Sequence, residues 1–412
     1  MTGTVNLQWL KKKSGGYSMS RLGGDLAGGV IAALIALPYG LAMATLMGLP
    51  PALGVYTSIL SAPITVVLGR NPVLIGGTAS ATVPFIAAAV RAQGLGGAAK
   101  VSIVAAIFMM AFCVLRLGRH ISHVPQTVVT GFSCGIGAMM VLSQFDSTMG
   151  TSLQPFITGF IVIVVAFAAG HYAPRSPAPL IGILAAVGVS RMFGFHEAEI
   201  GSLNASLPPF AGFSWRPQYV YQVLPSAFAL AFITSVNLLI TSRVVEHFRG
   251  RNRLSKRADA DAELGAYGIA NIFTGVFGAP LSVGIPARSL AVVRCGGSTR
   301  VSNLFHAVVL VLILKYGSSL VAQIPVSAMA GVTAWMGICL LDWSAWHRLP
   351  RMKRIDSAAF LITFGAVIGT NAVLAVVLGC SIYGAQALYH RYMAWTNARV
   401  PGLLAGGSNL NA

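Results

Sequence analysis

From Asp25 to about residue 390, apolar runs close to the ~20-residue length of a bilayer-crossing helix follow one another with little between them. About fourteen can be marked: 25–46, 50–68, 73–90, 98–116, 122–143, 154–170, 178–194, 222–245, 263–278, 282–294, 299–316, 324–341, 356–370 and 371–390. Only 9% of the residues are charged, against roughly 25% in a soluble domain, so these runs are not the buried stripes of water-exposed helices. The fold class read from the sequence is an all-α polytopic membrane protein.

A net charge of +18 would ordinarily raise the question of nucleic acid. The positions of the charges answer it. With a cytoplasmic N-terminus and alternating spans, 22 of the 28 lysines and arginines fall on the cytoplasmic side. Arg91, Lys100, Arg191, Arg216 and Lys315 fall outside, and Arg288 alone falls within a span. This is the bias of the positive-inside rule for a plasma (bacterial inner) membrane, with both termini cytoplasmic. The partner implied for the basic surface is anionic membrane lipid, not nucleic acid.

Catalytic and cofactor signatures are missing from the sequence. Neither a GxGxxG nor a Walker sequence occurs, nor an HExxH or a triad pattern, so no enzyme is expected and nothing to hydrolyse ATP. The five cysteines lack paired spacing, and His171, His247, His306 and His347 lack ligand-like spacing, so no metal site is expected. Residues 1–20 read as a cytoplasmic leader and 196–221 as an extracytoplasmic linker near the midpoint. The linker separates seven spans (21–195) from seven (222–393), and 394–412 form a short cytoplasmic tail.

The two halves contain one matching pair of segments. "NPVLIGGTAS" (71–80) and "APLSVGIPAR" (279–288) align without gaps at an offset of 208, pairing Pro72/Pro280, Ile75/Val283, Gly76/Gly284 and Ala79/Ala287. Each lies in the third span of its half, as an inverted repeat would place it. Proline and glycine oppose a regular helix there, so 72–77 and 280–285 should be extended, each leading into a half-helix that begins near the midplane. Bare backbone at that depth requires burial in protein or a cavity. Two helix N-termini facing each other would present free N–H groups and positive dipole ends, which is an anion site. The alternative is a pair of kinked packing helices; matched breaks, one of them carrying an arginine, favour the site.

Arg288 would lie in the first turn of the second half-helix, and none of the ten carboxylates lies near the middle of a span. An arginine at a helix centre costs about 2.5–3.5 kcal/mol on the more lenient scale, so its counter-ion is expected to be the ligand. Snorkelling to an interface is the competing account. Asn237 is the strong polar group of the eighth span, read either as a pocket residue or as a helix–helix hydrogen bond. Tyr39, between Pro38 and Gly40, marks a break in the first span and supplies an aromatic hydroxyl. The Gly24–Gly28 and Gly131–Gly135 pairs read as close helix packing.

These residues carry a resemblance. "ALPYGLAMATLMGLPPALGVY" (36–56) and "DAELGAYGIANIFTGVFGAPLSVGIPARSLAVVRCGGSTR" (261–300) resemble the SulP sulfate-permease family, which includes the animal motor protein prestin. "GGTASAT" (76–82) and "IPVSAMAGV" (324–332) extend the similarity, which runs from Arg21 to about Arg391. The resemblance implies two inverted seven-span repeats with broken third and tenth helices, a core and a gate domain, a homodimer, and anion transport by an elevator-like movement. Carried over by position, the family's pocket falls on Tyr39, Thr78, Ala79, Ser80, Asn237, Ala287, Arg288 and Ser289. No cofactor is implied.

Two departures bear on function. Proton- or sodium-coupled members often have Glu or Asp where this chain has Asn237, so coupling through that residue is not expected. Tyr39 stands where many members have Gln, a change that bears on selectivity. The STAS domain typical of the family is expected to be absent from this sequence, which ends at Ala412. A small-anion transporter (sulfate, bicarbonate, chloride or a dicarboxylate) is the leading reading. A nucleobase permease on the same fold, and a non-transporting anion-binding scaffold or motor, are the alternatives.

Overall fold

Apolar runs at bilayer length become helices because only a helix satisfies its own backbone in oil. The computed structural model describes residues 19–118, 125–149, 152–173, 176–201, 216–249, 257–370 and 372–399. The leader through residue 18, linker residues 202–215 and the tail from residue 400 lie outside them. The helices are α1 (Met19–Leu46), α2 (Pro51–Leu68), α3 (Val83–Val114), α4 (Gln126–Gln144), α5 (Leu153–Tyr172), α6 (Ala178–Met192), α7 (Pro217–Phe248) and α8 (Arg257–Val276). They continue as α9 (Pro286–Arg294), α10 (Val301–Tyr316), α11 (Ser318–Ala322), α12 (Val326–Leu340), α13 (Trp343–Arg348), α14 (Arg354–Gly369) and α15 (Ala372–Arg399). Among the described residues, seven helical stretches are long and apolar enough to cross a membrane, and α6 and α10 are shorter apolar helices.

One of those stretches conceals a break. α3 holds Gly94 at φ 65 and ψ −159, where two helices meet at a kink. That backbone region is essentially closed to residues with a Cβ. A Cβ built on Gly94 has nothing within 4 Å, so a substitution there meets conformational strain and no clash. Gly94→Ala is therefore expected to lower stability by about 1–3 kcal/mol. Gly170→Ala, also with open space around it but inside α5, should be neutral or stabilising by up to ~1 kcal/mol. Thermal unfolding in detergent checks the pair; equal shifts would refute the strain account.

The chain forms two compact units, Met1–Ser122 with Gln144–Trp335, and His123–Ser143 with Met336–Ala412. In the second unit, α4 packs on α14 through the Gly131–Gly135 pair. A Cβ on Gly131 would lie 2.6 Å from the Phe360 carbonyl, and one on Gly135 would lie 2.7 Å from Val367 Cβ. Cys134, Ala345 and Phe360 are buried there, with the Trp346 ring edge-on to Phe360 and Phe364 at 5.1 and 5.0 Å.

In the first unit, α1 packs on α2, α9 and α10, α8 lies along α3 and α2, and α7 lies along α3. Gly28 of the other small-residue pair lets α1 approach α9, since a Cβ there would sit 3.0 Å from Val292 Cα. Gly24 does the same against Gly296, whose carbonyl would be 2.5 Å away.

Where the two matching segments fall, the structure has two short strands. β1 (Gly76–Thr78) precedes a 3-10 turn over Ser80–Thr82 and then α3; β2 (Ser282–Gly284) precedes α9. They pair antiparallel, with Gly76 opposite Gly284, Gly77 opposite Val283 and Thr78 opposite Ser282. The facing glycines are the two positions aligned at the 208-residue offset. Beyond them the Ile285 N–H donates to the Ile75 carbonyl at 2.9 Å. One step further the ladder has no donor on the second strand, because residue 286 is proline. Proline instead takes the first helical position of α9, where a missing N–H costs nothing.

Candidate functional site

Six strand residues buried among helices expose peptide groups to oil unless side chains reach them. Here they do. The Asn271 amide on α8 clasps Ser282 at two points: its Nδ2 donates to the Ser282 carbonyl (3.0 Å) and its Oδ1 accepts from the Ser282 N–H (2.7 Å). Ser282 Oγ donates to Ser61 Oγ (2.9 Å), and Thr57 Oγ1 donates to the Pro280 carbonyl (3.1 Å). Just before β1, the Ile75 N–H donates to Ser289 Oγ (2.9 Å), and Asn303 Nδ2 to the Leu74 carbonyl (3.4 Å). Asn271→Leu would leave a buried N–H and a buried carbonyl unpaired. A stability loss of about 2–4 kcal/mol is expected, read as a fall in unfolding temperature, with Asn271→Asp recovering part of it.

Arg288 sits behind this strand pair. Its side chain is fully buried, and Nη1 donates to Ser58 Oγ on α2 (3.0 Å) and to the Gly76 carbonyl (3.4 Å). Nε and Nη2 have no hydrogen-bond partner among the described residues. The ion pairs among the described residues are Arg191–Glu199 and Arg249–Glu246, so no carboxylate reaches Arg288. The nearest spans' acids are engaged elsewhere. Asp25 accepts from the Ser298 and Thr299 N–H groups (2.7 and 3.1 Å), and Glu263 accepts from the Arg70 and Asn71 N–H groups (2.6 and 3.1 Å).

Tyr39 joins the two halves of the centre. Its ring lies 5.1 Å from the Arg288 guanidinium carbon, a cation–π contact, and its hydroxyl accepts from the Ser80 N–H at 3.3 Å. Ala79 and Ser80 are buried just beneath, and on the other side Pro286 and Ala287 of α9 are exposed. The first-turn N–H groups of Ala287 and Arg288 have no intrahelical acceptor, as at any helix start. Asn237 on α7 is half-buried and makes no side-chain hydrogen bond among the described residues, while α7 itself packs against β2 and α9. Thr78 and Ser289 point elsewhere: both are fully buried, with Thr78 Oγ1 donating to the Gly54 carbonyl (3.0 Å) and Ser289 Oγ to the Ile285 carbonyl (2.8 Å).

Sequence reasoning passed over several members of this centre. Ser58 and Ser61 sit among small residues of α2, and Asn303 at the start of the apolar α10, where a hydroxyl or amide reads as packing. Asn271 was legible in principle, as a lone amide in the apolar "GIANIFTG". His306 reads in the sequence only as one of four histidines without ligand-like spacing. It is fully buried on α10, three residues from Asn303, with neither ring nitrogen bonded.

The fold and this centre define a multi-pass membrane protein with an unneutralised internal cation beside two helix N-termini. The profile of the sulfate permease family matches residues 22–167 and 151–363. The bicarbonate transporter BicA of Picosynechococcus is 27% identical over 401 residues, covering 89% of this chain and 69% of that protein. A probable sulfate transporter of Mycobacterium tuberculosis is also 27% identical, covering 89% and 70%. Human solute carrier family 26 member 6 is 24% identical over 86% of this chain and 53% of its own length. The transmembrane domain of a cyanobacterial BicA superposes with a TM-score of 0.77 at 23% identity, covering 87% and 97%. Murine Slc26a9, an anion transporter in an inward-facing state, gives 0.80 at 17% identity, covering 93% and 70%. The chain belongs to the sulfate permease family.

Proposed function

We propose that this protein is a secondary active or facilitative transporter of small inorganic or carboxylic anions, bound between the start of the Ser80 turn and the start of α9. The observation that carries the reading is Arg288: a fully buried guanidinium, two of its nitrogens unbonded, without a carboxylate, next to two helix N-termini. A buried charge is costly unless paired, and here an anion supplies the pair. The N-terminal N–H groups supply direct ligation and the arginine supplies field from behind. Tyr39, Ala79, Ser80, Ala287 and Asn237 form the near surface of the pocket. Thr78, Arg288 and Ser289 hold it from within.

The architecture in this reading is fourteen spans in two inverted seven-span repeats, with the third and tenth helices broken. Pairing of Gly76 with Gly284 supports it, because a two-fold axis relating the halves would place equivalent residues opposite each other. Alternating access follows by an elevator-like movement of a core domain against a gate domain, in a homodimer, with both termini cytoplasmic and anionic lipid around the basic face. The relatives named for bicarbonate and sulfate make those two the first candidates. Asn237 supplies neither a titrating group nor a carboxylate for sodium, which favours exchange or facilitated transport.

The test is flux into proteoliposomes for chloride, bicarbonate, sulfate and oxalate, with and without sodium and a pH gradient. Saturable uptake of at least one anion, independent of sodium, is expected. Anion-dependent stabilisation without any flux would overturn transport in favour of a binding scaffold.

A further inference from the structure

We infer that the Tyr39 hydroxyl is a built-in competitor for the anion, occupying one of the N–H groups that the ligand needs. The inference rests on the proposed anion site and concerns its regulation. Its basis is the position of one atom. A phenol oxygen accepts from the Ser80 N–H at 3.3 Å, at the start of the turn that opens the first half-site. That amide is one of the donors left free by the geometry of a helix start. A helix N-terminus without ligand exposes its N–H groups to water or to a substitute, and here the chain provides its own substitute.

The same ring lies 5.1 Å from the Arg288 guanidinium carbon, so one side chain engages both positive elements of the site. Arg288 is wholly buried, and Tyr39 is partly so. Tyr39 follows Pro38 inside α1, which runs through Met19–Leu46 without the break the sequence suggested, although proline still removes one helical hydrogen bond there. An arriving anion takes the Ser80 N–H, and the hydroxyl leaves it. The exchange of a neutral acceptor for a charged one favours the anion, because charge-assisted hydrogen bonds are roughly twice as strong. The phenol thus sets a threshold that a weakly accepting ligand does not pass, and it makes Tyr39 a specificity-determining residue.

Tyr39→Phe in the full chain keeps the ring over Arg288 and removes only the acceptor. Two readouts separate this inference from the transport reading. Amide hydrogen exchange across residues 79–83, without added anion, is expected to quicken in Tyr39→Phe; unchanged exchange would overturn the competitor whatever the protein transports. Thermal stabilisation by potassium chloride, bicarbonate or sulfate is expected at roughly 2- to 10-fold lower concentration than in wild type, the worth of one ordinary hydrogen bond. An equal or higher concentration would overturn it, showing that the hydroxyl is neutral or itself a ligand. No response to any of the three salts in wild type would remove the anion site, and the competitor with it.

Discussion

Replacing Arg288 by glutamine is expected to weaken anion binding about thirtyfold while the protein still inserts and folds. The charge acts through space. A unit charge about 8 Å from the anion, at an effective dielectric near 20, contributes about 2 kcal/mol, which is roughly thirtyfold in affinity. Glutamine can retain a bond to Ser58 Oγ or to the Gly76 carbonyl, the two groups that Nη1 now reaches. It also relieves a buried, unpaired charge, so the stability of the anion-free protein should stay level or rise. Arg288→Lys should fall between, because an ammonium keeps the charge but not the planar fork. Anion titrations followed by thermal shift, alongside initial flux rates, measure both effects. Wild-type affinity in the glutamine variant would show that the arginine is structural and that the site lies elsewhere.

The second large effect is expected at Gly77. A Cβ on this residue would collide with Arg288 Nη1 and lie 2.7 Å from Ser58 Oγ. Neither neighbour has room to yield, since Arg288 is fully buried and Ser58 is its hydrogen-bond partner. Gly77→Ala should therefore cost about 1–3 kcal/mol through overpacking, and it should also displace the guanidinium. Combining it with Arg288→Gln is the informative step. If the glycine is there to admit the arginine, the shorter side chain recovers stability, and the double variant unfolds above Gly77→Ala alone. A strictly additive loss would show that Gly77 serves the strand pairing and not the arginine.

The two segments that form the strand pair are legible in the sequence. Gly76 and Gly284 match at a fixed offset, Pro72 and Pro280 oppose a continuous helix, and Arg288 is a charge in an apolar run. These are local signals, and they mark the two segments that pair as strands. They do not show how the segments meet. The extended stretch in the first half was expected over 72–77, whereas the strand is Gly76–Thr78, followed by a 3-10 turn before α3 begins at Val83. Pairing decided that boundary: Thr78 stays extended because Ser282 lies opposite it. The family resemblance puts Thr78 and Ser289 at the pocket by position; their hydroxyls donate to the Gly54 and Ile285 carbonyls. Hydroxyl direction depends on which neighbouring helix supplies an acceptor, and spacing along the chain carries no record of that.

Burial depth divides in the same way. His306 and Arg288 are both fully buried, yet only the arginine announced itself, because a permanent charge is anomalous in oil and an imidazole, neutral in one of its forms, is not. The sequence by itself determined the class: bilayer-length apolar runs force helices, and paired prolines and glycines oppose a regular helix in the two segments that form the strands. Each of these is a one-dimensional property, legible wherever a residue conflicts with its neighbours. The tertiary structure alone decided which groups hold the strand pair, that Arg288 lies behind it and not on its surface, and that Tyr39 already occupies the Ser80 amide. Those depend on contacts between residues 41, 212 and 230 positions apart, and only the packed fold brings such residues within a hydrogen bond of one another.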